Sequence, residues 1–451
     1  MKKLMLICAP ITSRSGYGDH ARDLFHAFYK SDKFDIKVLD VKWGDCPRNA
    51  LNPSNENDNI ILNSILTDLN LPQQPDVYVD IRIPNEFQTW GKFNIGITAG
   101  IETNAVSQTW IESCNKMDLI IVPSEHSKGG FVQSVYDKVQ NLPNGQQQSL
   151  GELKLEKPIE VLFEGVDVNS YKVLDEEDLN SDISKNISNN IKENFLFLHV
   201  GQWGKGGYGE DRKDIGRMLK VFYESFANKK DQPALLLKTN GASFSVMDKS
   251  ECLVKINQIK SMFPKDWDLP NVYLLHGGLS VEEMNELYNH PKVKAFVSLT
   301  HGEGFGRPLL EATMVGLPVI ASNWSGQVDF LNTDKSLLLP GTLQQVPKNV
   351  VWKDIIIPES KWFVADESNF YKTLNFCFNE YDSVKGKAIE LMKDNNKKFT
   401  LDKMAEKLDN IVTPYLDKMP TQVGLQLPKL KKIKKTDLDT PKIKLPKLTR
   451  V

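Results

Sequence analysis

Residues 300–331 read THGEGFGRPLLEATMVGLPVIASNWSGQVDFL, and this stretch decides the fold. His301-Gly302-Glu303-Gly304-Phe305-Gly306 holds too much glycine for a regular element and reads as a loop. Pro308 suits the first turn of a helix, where a missing N–H costs nothing. Leu309, Leu310, Thr313 and Met314 follow at near-helical spacing, and Gly316 and Pro318 stop the helix. Pro318-Val319-Ile320-Ala321 is a short apolar run that reads as a buried parallel strand. Loop, helix, strand is the repeating unit of a doubly wound α/β sheet. A glycine loop entering a helix N-terminus offers unpaired N–H groups and partial positive charge to an anion.

The same grammar recurs on both sides of this block. Toward the N-terminus, Ala295–Leu299, Val272–Leu275, Ala234–Lys238 and Phe195–Gly201 read as further strands. The last of these runs into a second glycine loop, residues 202–209, which contains Lys205. Arg212 and Lys213 then precede a helix with apolar residues Ile215, Met218, Leu219, Phe222 and Phe226. Cations at a helix N-terminus oppose its dipole, which is easier to understand if an anion binds there. An earlier set of strands covers 4–9, 34–41, 77–81, 93–98, 119–122 and 159–163. Its first loop carries Gly16 and Gly18, placed where α/β sheets bind ligands.

The reading is therefore α/β, with two Rossmann-like doubly wound parallel-sheet domains. Residues 1–190 form an N-terminal domain, and the acidic, asparagine-rich run 175–194 marks the boundary. Residues 191–366 form the C-terminal domain. Residues 367–417 are closing helices, one of which is expected to pack back on the first domain. Residues 141–157 read as a loop, and 340–366 as an insertion or surface wrap. Residues 418–451 form a tail. Between Lys429 and Arg450 it has nine Lys or Arg against two acids. That pattern suits either a nucleic-acid or anionic-surface contact or a strap with its lysines outward.

Bulk composition narrows the class. The chain has 451 residues, 40% hydrophobic and 25% charged, with a net charge of −2. This argues against a wholly basic nucleic-acid binder. Five cysteines without a CxxC pair fit a reducing, cytoplasmic setting without structural zinc. No run approaches the roughly 20 apolar residues of a membrane helix.

The residues suggest a nucleotide-sugar site. Backbone N–H groups from Gly304 to Arg307, with Arg212, Lys213 and Arg307, suit a diphosphate. Glu311 suits a ribose diol, and Glu303 suits the hydroxyls of another ring. The loop lacks the Gly-Lys-Ser/Thr of a Walker A site, and SGYGDH at 15–20 lacks a full dinucleotide fingerprint.

Glu303-Gly304-Phe305-Gly306-Arg307-Pro308-Leu309-Leu310-Glu311-Ala312, followed by Gly316-Leu317-Pro318-Val319-Ile320-Ala321-Ser322, resembles the signature of the retaining GT-B glycosyltransferases of family 4, the glycosyl transferases group 1. The resemblance implies that Glu311 binds the ribose and that Glu303 contacts donor-sugar hydroxyls. Gly304, Phe305, Gly306 and Arg307 would then lie beside sugar and phosphate through their backbone. It puts the family's diphosphate lysine at Lys213. The family's arginine falls near Gln202, where Arg212 or Lys205 would substitute. Gly16 and Gly18 match the first-domain glycine loop. The family histidine near the sugar's primary hydroxyl has no counterpart in Gly100-Ile101-Glu102-Thr103. The implied donor is a nucleoside-diphosphate sugar and the implied chemistry is retaining transfer. No metal or other cofactor is implied, since cations supply the charge and no Asp-x-Asp motif sits in the cleft. The acceptor stays open among glycan, lipid-linked sugar, small molecule and modified DNA. A catalytically inactive binding protein on the same fold is the remaining alternative.

Overall fold

The computed structural model describes residues 2–68, 70–141, 147–204, 206–241 and 244–419. Two six-stranded sheets organise the chain. The first has the spatial order Phe34–Asp40, Lys3–Ala9, Val77–Ile81, Phe93–Ile97, Leu119–Val122, Ile159–Val161, all parallel. The second runs Val272–Leu275, Ala234–Asn240, Leu196–Gln202, Val293–Ser298, Val319–Ser322, Leu337–Leu339, again all parallel. The inner strands are apolar along much of their length because helices cover both faces, as the buried runs Leu4–Ala9 and Leu119–Val122 illustrate, whereas Phe34–Asp40 at the edge alternates.

In the second sheet the chain starts at the centre, winds one way through 234–240 and 272–275, then reverses at 293–298. The reversal opens a crevice at the carboxyl ends of Leu196–Gln202 and Val293–Ser298. Residues 203–214 and 299–306, the two glycine loops, leave those same ends. The fold thus brings together two motifs that lie about 90 residues apart, as the Lys213–Glu303 bond records.

Three stretches differ from the sequence reading. The stretch 141–157 is not wholly loop, since Gln147–Leu153 pairs antiparallel with Tyr136–Asn141. Glutamine and asparagine disguise a strand whose pairing is carried by backbone bonds. Residues 341–345 and 361–365 form a second antiparallel hairpin. Val166, Tyr171 and Ile187 pack into the second domain's core, although they precede residue 191.

Helix Leu401–Leu416 returns to the first domain. Met404, Leu408, Val412 and Leu416 recur every fourth residue and lie in that domain's core. Thr400 caps the helix by accepting the Lys403 N–H. Leu408 is 2% exposed. Leu408→Ala is expected to cost about 2–5 kcal/mol of first-domain stability, read by chemical denaturation. Among the described residues no helix is long and apolar enough to cross a membrane. Of the tail 418–451, residues 420–451, which include the whole basic stretch 429–450, lie outside the described residues.

Candidate active site

Helix Arg307–Met314 begins from Gly306, whose φ of 100° and ψ of 47° place it in the left-handed region where glycine is favoured. No side chain caps this N-terminus. The N–H groups of Gly304, Phe305 and Gly306 donate to no acceptor among the described residues. The loop before it is tightly held. The Glu303 N–H donates to Ser325 Oγ at 2.9 Å, and Gly326 N–H donates to Glu303 O at 2.9 Å. His301 is fully buried, stacks on Trp362 with centroids 4.0 Å apart, and hydrogen-bonds Phe363 O through Nδ1 at 2.6 Å.

The first domain closes on this loop. Ser124 Oγ donates to Gly304 O at 2.6 Å, and the Glu125 N–H donates to Asp329 Oδ2 at 3.0 Å. A Cβ on Gly302 would stand 2.1 Å from Glu102 O, and one on Gly304 would stand 2.1 Å from Ala99 O. Only glycine permits that approach.

Glu303 anchors the charge cluster. One carboxylate oxygen pairs with Lys213 Nζ, and the other lies 3.3 Å from Arg212 Nη1. Arg212 Nη1 also reaches Glu102 Oε1, across the cleft, at 3.1 Å. Lys213 and Glu303 side chains are each 10% exposed, whereas Arg212 is 35% exposed. Burial alone would raise the Glu303 pKa, but Lys213 and Arg212 outweigh it and hold the carboxyl below its usual range. Burial lowers the Lys213 pKa, against the pull of Glu303. Two carboxylates and two cations thus meet at the mouth of the uncapped helix. His199 lies beside them, and burial brings its pKa down to about 4, against its bond to Val297 O.

Glu311 sits on the same helix with its carboxylate between Arg307 Nε at 3.2 Å and Tyr288 Oη at 3.3 Å. Burial raises its pKa to about 7, against the Arg307 charge. Arg307 crosses to the first domain and pairs with Asp23. Glu164, whose pKa burial raises to about 8, adds a further carboxyl near that guanidinium.

The structure therefore groups Lys213, Arg212, Glu303 and the amides of Gly304 and Gly306. It places Arg307 among Asp23 and Glu311, where its charge is already engaged. The Phe305 side chain is 2% exposed and packs on Phe330, leaving only its backbone for a ligand. Gly18 donates its N–H to the Ser15 cap, while Gly16 borders open space. Lys205 lies outside the described residues. Glu164 and Asp23 were not legible as site residues. The one available signal was that Glu164-Gly165 follows a strand end.

The fold and site define a GT-B architecture, two doubly wound domains meeting at a cleft. Residues 265–347 match the family model described as Glycosyl transferases group 1, and the chain is related to that family through this segment. No curated protein sequence matches the chain. Solved structures similar to it include HepE from Anabaena, in complex with UDP and glucose, at TM-score 0.59 and 13% identity, covering 91% of this chain and 100% of that one. The sucrose-phosphate synthase of Thermosynechococcus elongatus has TM-score 0.60 at 11% identity, with coverages of 92% and 100%. An α,α-trehalose-phosphate synthase from Burkholderia xenovorans has TM-score 0.56 at 10% identity, with coverages of 90% and 99%. At such identities the likeness is one of fold.

Proposed function

We propose that this protein is a retaining glycosyltransferase that moves a sugar from a nucleoside-diphosphate sugar to a hydroxyl acceptor. The observation that carries the reading is the Lys213–Glu303–Arg212 cluster at the uncapped N-terminus of the helix that bears Glu311. Cleaving the bond from the anomeric carbon to the diphosphate leaves an oxocarbenium-like sugar and an anionic leaving group. Lys213, Arg212 and the helix N-terminus supply fixed positive charge to that leaving group. This lowers the need for a strong general acid. Glu303 receives donor-sugar hydroxyls, and Glu311 receives the ribose diol. In front-face attack the departing phosphate oxygen takes the acceptor's proton, and configuration is retained. Closure through Ser124, Arg212 and Arg307 excludes water from the intermediate.

HepE was solved with UDP and glucose, which makes UDP-glucose the first donor to test. The test is turnover of that donor with the anomeric configuration of the product read by proton NMR. Retention supports the reading, and inversion contradicts it. The Glu311 pKa of about 7 adds a pH signature. Its folded-state pKa is raised, so the stability it contributes is complete below the ordinary carboxylate range and is lost as pH rises through about 7. Ribose binding wants the ionised form. Affinity for UDP-glucose, whose diphosphate does not titrate there, should improve across that pH, and Glu311→Gln should abolish the dependence. An equal pH profile in the variant would remove Glu311 from the ribose.

A further inference from the structure

The first domain's side of the cleft carries a feature that the leaving-group chemistry does not use. Trp43 lies in the loop that leaves strand Phe34–Asp40 at its carboxyl end. Tyr17 lies in the first turn of helix Gly16–Lys30, beyond the carboxyl end of the neighbouring strand Lys3–Ala9. Their ring centroids are 4.2 Å apart, and both residues are half-buried. The pair is pinned from below, because Tyr17 Oη meets Thr98 Oγ1 at 3.0 Å and accepts the Ala99 N–H at 3.1 Å. Ala99 O is the atom that a Cβ on Gly304 would strike. The aromatic pair is thus joined to the loop that would hold the donor sugar through one residue, Ala99. Beside it, Gly16 is exposed and has nothing within 4 Å of where a Cβ would stand.

Resting on the transferase reading, we propose that Trp43 and Tyr17 form the acceptor subsite and that the acceptor is a carbohydrate whose pyranose ring stacks on Trp43. The aliphatic C–H face of a pyranose complements the electron-rich face of an indole, while its hydroxyls keep their contact with water and polar side chains. A donor nucleobase is not the occupant, because Glu311, the ribose group, is on the opposite domain. Duplex nucleic acid is disfavoured by the charge of the rim. Arg48 is paired with Asp40, and Lys42 lies 3.7 Å from Asp45, so those cations are matched. Arg14, exposed and bonded to Asn49 Oδ1 at 2.9 Å, is left to address a polar or anionic substituent of the sugar. Phosphate-backbone binding draws on several unpaired cations at once.

The experiment is saturation-transfer NMR on the full chain with maltose, glucose and glucose 6-phosphate, each with and without UDP, and a short DNA duplex as a comparison. At least one sugar should receive saturation at its ring C–H protons. Trp43→Ala should weaken that sugar about tenfold or more and leave UDP affinity unchanged, while Trp43→Phe should keep most of the binding. Gly16→Leu, which meets no atom within 4 Å at its Cβ, should fold normally and exclude the sugar. The subsite is overturned if no sugar binds, if Trp43→Ala binds sugar as the parent does, or if only the duplex binds. Sugar binding that depends on Trp43 without any binding of UDP would support the subsite and strike the transferase reading instead.

Discussion

Lys213→Ala is expected to lower turnover about 10²–10³-fold, the loss typical when one preorganised electrostatic group is removed from a developing charge. The ammonium is held at its post by Glu303, and both side chains are nearly buried. Removing it therefore also leaves a buried carboxylate with only the more exposed Arg212 as partner. Breaking one side of a buried pair costs about 3–5 kcal/mol, so stability should fall along with rate. The double variant Lys213→Met/Glu303→Gln separates the two effects. It removes both charges, so its melting temperature should recover much of the loss, while turnover should stay at the level of the single variant or below. If turnover recovers with stability, the lysine is a structural counter-ion and the leaving-group assignment is wrong.

Glu311→Ala is expected to weaken donor binding about 10–100-fold, the loss of charge-assisted hydrogen bonds to a diol. The expected effect on folding is smaller. Glu311 is a buried carboxyl whose pKa stands near 7, so its ionised form is not a strong contributor to stability. Arg307 retains Asp23 after the change. Binding of inorganic pyrophosphate, which lacks the ribose, should be unaffected. Parallel losses for pyrophosphate and nucleotide would mean that the variant disturbs the loop rather than the ribose contact.

Much of this architecture was legible from local pattern. All six strands of the first sheet and five of the second announce themselves as short apolar runs, whereas the edge strand Leu337–Leu339 is absent from the sequence reading. The capping box of Ser280 and Glu283 marks a helix start that the structure contains. The block 300–331 places a glycine loop, a helix and a strand where the fold has them. The hairpin at 136–153 was hidden because its pairing needs no apolar alternation. Arg307 shows the deeper limit. Its neighbours in sequence suggest a phosphate contact, yet its carboxylate partner Asp23 arrives from 284 residues away. Glu102 lies in the segment where the sequence shows no counterpart of the family histidine, and its pairing with Arg212 depends on how two domains meet. Local spacing specifies elements, whereas the charge balance of a cleft is set by chain segments with no sequence proximity.

The central claim is that this cleft holds a nucleoside-diphosphate sugar between Lys213, Glu303 and Glu311. The most direct test is calorimetric titration of the full chain with UDP, GDP, ADP and their common hexose conjugates. The account predicts saturable binding of one nucleotide family, with Glu311→Ala and Lys213→Ala each weakening it. A folded protein that binds none of the panel, or that binds a conjugate equally well in both variants, would contradict it.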